Sequence, residues 1–133
     1  MPGASSQDPV RPPESRRQTR MMEPSILLLL LERGVAHGYE LREEIERMAL
    51  TESEVDGAAV YRTLRWLETH GQVRSVWDTA GTRAPRRRYQ LTELGRKSLT
   101  LWADLLRHRR AALDTYLDRY QEAVARAQEA GEG

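Results

Sequence analysis

Six arginines carry the most legible chemistry in this sequence. Arg62 and Arg65 stand three residues apart, and Arg83, Arg86, Arg87 and Arg88 crowd the stretch "TRAPRRRYQL". A guanidinium is a permanent planar cation whose donors fork onto a phosphate, or onto O6 and N7 of guanine. The formal net charge of the whole chain is only +1. Its distribution is uneven: residues 56–91 hold seven basic and three acidic side chains, whereas residues 21–55 hold three basic and eight acidic ones. A local positive patch steers a polyanion more than the sum does.

Other chemistries find little support. There are no cysteines, hence no disulfide framework, thiolate ligand or thiol nucleophile. His37, His70 and His108 lack ligand spacing and are expected at surfaces or helix ends. Glu40, Glu43, Glu44 and Glu46 are expected to form a solvated acidic helix face. No phosphate loop or nucleophile elbow is present, so the chain is not expected to be an enzyme, and no cofactor or metal is implied. The apolar run at 26–31 is far shorter than the roughly 20 residues that span a bilayer. No signal peptide is evident, which makes the cytoplasm the expected compartment, with no membrane partner.

The elements that must position the arginines follow from periodicity. Residues 1–23 hold most of the prolines and no aromatic side chain, and are expected to be a disordered N-terminal tail. "SILLLLLERG" is a helix, apolar nearly all round and therefore buried, stopped at Gly34. A second helix over 38–50 has Leu41, Ile45 and Met48 as its core stripe, and a third over 57–70 has Val60, Leu64 and Leu67. The period then changes from helical to two. "QVRSVWD" and "RRRYQL" are strands around the Gly/Pro segment "TAGTRAP", with Tyr89 and Leu91 on one face and Arg88 and Gln90 on the other. Thr92 is the N-cap of a last helix, expected to run over 93–127 before a disordered tail at 128–133. Its apolar stripe has too little domain of its own to pack on, which points to a second copy of the chain.

Helix, helix, turn, helix, two-stranded hairpin, long helix is the order of a winged helix-turn-helix with a C-terminal dimerisation helix. The fold class is thus mainly α with a two-stranded β-hairpin. Residues 24–92 form the DNA-binding domain in this scheme. The second helix of such a pair enters the major groove of double-stranded DNA. Ala58 and Ala59 then allow close approach, Arg62 reads a base, Arg65 lies nearby, and the Tyr61 hydroxyl reaches phosphate. Arg83, Arg86, Arg87 and Arg88 lie on the flanking backbone or in the minor groove. The plainer alternative keeps Arg62 and the hairpin as solvated surface. A second class of function also stays open: a winged-helix module binding a protein or a granule, suggested by the acidic second helix and the apolar last one. Trp102, Leu105, Leu106, Leu113 and Tyr116 are either dimer-interface core or the lining of an apolar effector site.

The segments "HGYEL", "VYRTLRWLETHGQVRSVWD" and "RRRYQLTELGRKSL" together resemble the PadR family of bacterial transcriptional regulators over roughly residues 24–120. The matching pairs are Gly38-Tyr39, Val60-Tyr61, Arg88-Tyr89 and Thr92-Glu93. The resemblance implies a homodimer held by the C-terminal helix, and a repressor that binds near-palindromic operators and is released by an effector. Many members carry proline after the recognition-helix tyrosine, where this chain has Arg62. Tyr61-Arg62, Trp77-Asp78-Thr79, Gly81 with Pro85, and Trp102 resemble a branch described as poly-β-hydroxybutyrate-responsive repressors. That branch implies a polyester granule or its material as effector.

Overall fold

The computed structural model describes residues 21–48, 57–81 and 84–132. Elements follow in the order α1 (Met22–Arg33), β1 (Val35–His37), α2 (Gly38–Met48), α3 (Gly57–Thr69), β2 (Val73–Asp78), β3 (Arg86–Leu91) and α4 (Glu93–Glu132). The chain divides into two compact units, Met1–Leu99 and Thr100–Gly133.

In the first unit α1 is the central post. Met22, Ile26, Leu27, Leu29 and Leu30 are buried, as an apolar helix packed on more than one side requires, while Leu28 and Leu31 are left exposed on its open side. It stops at Gly34, whose N–H bonds the Leu30 carbonyl at 2.8 Å. Leu41 and Ile45 of α2 and Val60, Leu64 and Leu67 of α3 complete the helical core, while Met48 is only half-buried.

The sheet differs from the expected hairpin by one strand. Its order is β1-β3-β2, antiparallel throughout, with Ala36 opposite Tyr89 and Ser75 opposite Tyr89 on the other side. Three residues between Gly34 and Gly38 are too few to display an alternation, so β1 is invisible until β3 pairs with it. Ala36, Val73, Tyr89 and Leu91 face the core from the sheet, and Arg88 and Gln90 face outward as the alternation requires.

Thr92 caps α4 as expected: its Oγ1 accepts the Gly95 N–H at 3.0 Å and donates to the Gly71 carbonyl at 2.6 Å. Gly95 is buried against the loop after α3, where an added Cβ would lie 2.1 Å from the Gln72 carbonyl oxygen. Only glycine lets helix and loop approach so closely.

The second unit is the remainder of α4. The helix continues to Glu132, correcting the expected stop near residue 127 and the expected tail over 128–132, while residue 133 lies outside the described residues. Gln128, Glu129 and Ala130 are good helix formers with no breaker among them, so the helix propagates. Leu101, Leu113, Tyr116, Leu117 and Tyr120 on it are all more than half exposed.

Of the expected N-terminal tail at 1–23, Met22 and Glu23 instead form the buried first turn of α1, because an apolar and a helix-forming residue precede Pro24 there. Residues 1–20, residues 49–50 of the expected second helix, and Arg83 lie outside the described residues. No helix among the described residues is long and apolar enough to cross a membrane.

Candidate nucleic-acid interface

The stripe Val60, Leu64, Leu67 turns one side of α3 to the core, and this decides where its other residues point. Ala58, Arg62, Arg65 and Thr69 lie across the helix from this stripe, all exposed except the half-buried Arg62, and Tyr61 is exposed at its flank. Ala59 does not belong with them. It is 3 % exposed, because its position on the helix lies beside the core stripe and not across from it. Ala59 is a packing residue, which corrects the expectation that it approaches the groove.

Tyr61 joins the two helices of the helix-turn-helix. Its ring lies over Gly38 at the start of α2, where an added Cβ would stand 2.4 Å from Tyr61 Cε1. Gly38 and Tyr61 are therefore one contact, with glycine supplying the room. At the other end of α2, the Arg42 side chain lies along Gly57, where α3 begins. His70, at the C-terminal end of α3, stacks on Trp66 at 4.0 Å and bonds the Trp66 carbonyl through Nδ1 at 2.8 Å.

The three described wing arginines have three different settings. Arg86 lies 5.2 Å from the centre of the Tyr39 ring. Arg87 approaches Glu68 Oε1 of α3 at 3.3 Å and Ser75 Oγ at 3.4 Å, and its guanidinium lies 5.0 Å from the Trp77 ring centre. Arg88 is exposed on the outer face, in register with His37 on one side and Val76 on the other. Glu68 also accepts the Ser75 hydroxyl at 2.5 Å, so the wing stem is bonded to α3 twice through one carboxylate. Trp77 itself is 59 % exposed beside this link.

A second polar cluster has no counterpart in the sequence reading. Glu40 is no member of a solvated face. Its Oε1 accepts the His37 backbone N–H at 2.8 Å, as a residue three places into a helix does when it caps the first turn. Its Oε2 lies 3.5 Å from Arg33, which also pairs with Glu44 at 3.3 Å. The His37 backbone bond, foremost, holds the Glu40 carboxyl below the usual carboxylate range. Asp78 is held low as well, first by the Ala80 N–H and then by His37. The histidine three places before a glutamate is the sequence signal for the cap. Nothing local announces Asp78, which is distant in sequence. Burial, above all, raises the Tyr89 phenol.

The model of the transcriptional regulator PadR-like family matches residues 26–101, more than half of the chain. The chain belongs to that family. Among solved structures, it is similar to a conserved protein of unknown function described as a potential transcriptional factor. The two are 27 % identical with a TM-score of 0.71, covering 81 % of this chain and 94 % of that one. A PadR family transcriptional regulator from Eggerthella lenta is 26 % identical with a TM-score of 0.59, covering 78 % and 86 % of the two chains. The fold also matches Bacillus subtilis PadR, solved in complex with operator DNA: 24 % identity, TM-score 0.56, 63 % of this chain and 47 % of that chain. No functionally curated protein sequence matches the chain. The PadR neighbours have winged-helix folds, so the three-stranded sheet here is a wing stem on a helix-turn-helix, followed by a long helix.

On α4, Trp102 and Leu106 are half-buried, while Leu105, Leu113 and Tyr116 are exposed. Tyr116 lines a shallow recess with Arg119, Tyr120 and Ala123, all on this one helix. Among the described residues no group of three or more metal-ligating side chains is placed to hold an ion.

Proposed function

We propose that this PadR-family chain is a sequence-specific DNA-binding transcriptional regulator, a homodimeric repressor released by an apolar or granule-associated effector. One arrangement carries the proposal: the Ala58, Tyr61, Arg62 and Arg65 side of α3 opens outward in the same unit as a wing bearing Arg86, Arg87 and Arg88. A helix with a small residue near its N-terminus admits a major groove, and Arg62 supplies a fork for guanine. Arg65, Arg86 and Arg88 contact phosphates, with Arg83 as a further candidate near the wing tip. Arg87, already engaged by Glu68, orients the wing. The operator complex of Bacillus subtilis PadR supports the choice of ligand.

Dimerisation falls to α4, whose exposed leucines and tyrosines need a cover. A two-fold dimer recognises a near-palindromic operator with half-sites about one helical turn apart. Trp102, Leu105, Leu106, Leu113 and Tyr116 are the residues that serve this interface or receive an apolar effector within it, a polyester granule being one such surface. In this proposal the protein works in the cytoplasm and is not an enzyme.

The test is retention of genomic DNA fragments by the purified protein at near-physiological salt, followed by sequencing. An enriched palindrome, with affinity falling as salt rises, is the expected result. Uniform retention or none overturns the proposal in favour of a winged-helix interaction module. That alternative is weakened by the pairing of Glu40 and Glu44 with Arg33, which leaves them no free acidic face to offer a partner.

A further inference from the structure

His37 is the last residue of β1, and its side chain is mostly buried. Nδ1 lies 3.0 Å from Glu40 Oε1 and Nε2 lies 3.1 Å from Asp78 Oδ2. One imidazole thus joins the first turn of α2 to the last residue of β2. It does so across β3, the strand between them.

Each ring nitrogen faces a carboxylate, which only accepts. Both bonds exist together only in the imidazolium, because the neutral ring has a single N–H. Glu40 decides which bond the neutral ring keeps. Its Oε1 is already fixed by the His37 backbone N–H at 2.8 Å and its Oε2 by Arg33, whereas the anchor of Asp78 is the longer Ala80 N–H bond to Oδ1 at 3.2 Å, so Glu40 is the carboxylate that stays where Nδ1 needs it. The neutral ring therefore keeps its proton on Nδ1, and the Nε2 lone pair then confronts Asp78. Deprotonation breaks the bond to the wing and spares the bond to α2.

We propose that His37 is a positioning residue for the wing: its imidazolium holds Asp78, and with it the arginine-bearing end of β2 and β3, so that DNA affinity falls as the ring gives up its proton. The proposal rests on the reading of the chain as a DNA-binding protein.

The charges around the ring come from every neighbouring element. Arg33 of α1 stands behind Glu40, and Glu44 of α2 pairs with the same arginine. The Tyr39 ring stacks on His37 at 5.8 Å and carries Arg86 over it. On β3, Arg88 is in register with His37 and Arg86 with Asp78. Because Glu40 and Asp78 are both held below the usual carboxylate range, they remain charged while histidine titrates. Once released, Asp78 faces Arg86 and Arg88 and competes with phosphate for them. Removal of the proton therefore loosens the wing and masks its charge together.

The test uses the full ¹⁵N-labelled chain between about pH 5.5 and pH 8, the range in which histidine changes charge. Two readouts are followed: the His37 ring and the amides of residues 76–80 by NMR, and the affinity for a labelled random-sequence DNA duplex at fixed salt. In the wild type the wing amides should move with the same midpoint as the His37 ring, and Asp78→Asn should abolish that coupling. Affinity should fall about three- to tenfold from the acidic to the alkaline end, as expected when one charge-assisted bond breaks, and clearly more than in His37→Gln.

Wing amides that ignore the His37 ring overturn the clamp. An equal pH response of affinity in wild type and His37→Gln overturns its link to DNA. Absence of DNA binding at every pH overturns the DNA-binding reading and the affinity claim with it, while the amide titration still upholds or refutes the clamp. The wild-type titration alone decides that point even where a variant folds poorly.

Discussion

Arg87 of β3 and Glu68 of α3 stand 3.3 Å apart, so the middle arginine of the run is tied to α3. The pair is partly exposed, and such pairs contribute about 0.5–1 kcal/mol. Arg87→Ala should therefore lower the unfolding free energy of the chain by roughly that amount, with the wing less firmly seated on α3. Arg88→Ala should leave the unfolding curve unchanged and reduce the salt dependence of DNA binding by a slope of about one. Denaturant titration and binding at several salt concentrations separate the two. If the two variants behave alike in both assays, the division of labour is wrong.

That division is not legible in "PRRRY", which presents three equivalent cations. Alternation sends Arg87 to the same face as Tyr89, but Glu68 lies in another element, and sequence gives no register between them. The same limit hides the His37–Asp78 bond and the pairing of Glu40 and Glu44 with Arg33. Local rules succeed where the cause is local. The leucine-rich α1, its stop at Gly34, the stripes of α2 and α3, the Thr92 cap and the Tyr89/Leu91 alternation all follow from residues within a few positions. Ala59 shows the boundary case. Its small size suits a groove, yet its angle on the helix beside Val60 sends it inward.

Gly95 offers a test of the packing that seats α4 on the loop after α3. A methyl group there would lie 2.1 Å from the Gln72 carbonyl oxygen and 2.8 Å from Leu91 Cδ1. The first of these is backbone and cannot swing away. Gly95→Ala should cost about 2–4 kcal/mol, at or beyond the usual range for overpacking. Gly131, with nothing within 4 Å, is the control, and its change to alanine should stay within about 0.5 kcal/mol. Thermal unfolding of both variants measures the contrast, and a mild Gly95→Ala would mean that the loop yields.

Leu113 and Tyr116 stand 62 % and 67 % exposed on a helix whose polar face lies elsewhere. If α4 is the dimer contact, a charge in that stripe should be far more damaging to assembly than to folding. Leu113→Glu should shift the mass measured by light scattering from two chains to one at micromolar concentration, with helicity by circular dichroism largely kept. DNA affinity should fall with it, since a monomer engages one half-site only. A wild-type chain that is monomeric at those concentrations removes α4 from this role.

Glu23 gives the fold a pH dependence of its own. It lies in the first turn of α1, 7 % exposed, and burial pushes its carboxyl up from 4.5 to about 7. A carboxylate near a helix N-terminus is normally favoured by the helix dipole, so desolvation outweighs that attraction here. The sign follows from linkage. The folded chain holds this proton more tightly than the unfolded chain, so stability is greatest when both forms are protonated. It declines as pH rises from about 4.5 and levels off above about 7. A shift of this size corresponds to roughly 3–3.5 kcal/mol between the two plateaus. Glu23→Gln keeps the shape and removes the charge, so it should be more stable than wild type at pH 8 and nearly equal to it at pH 4.5. Urea unfolding of both proteins across that interval isolates the Glu23 contribution, because every other group titrates identically in the two chains. A difference that stays flat with pH would show that the buried carboxyl is ionised in the fold at little cost, and that α1 solvates it.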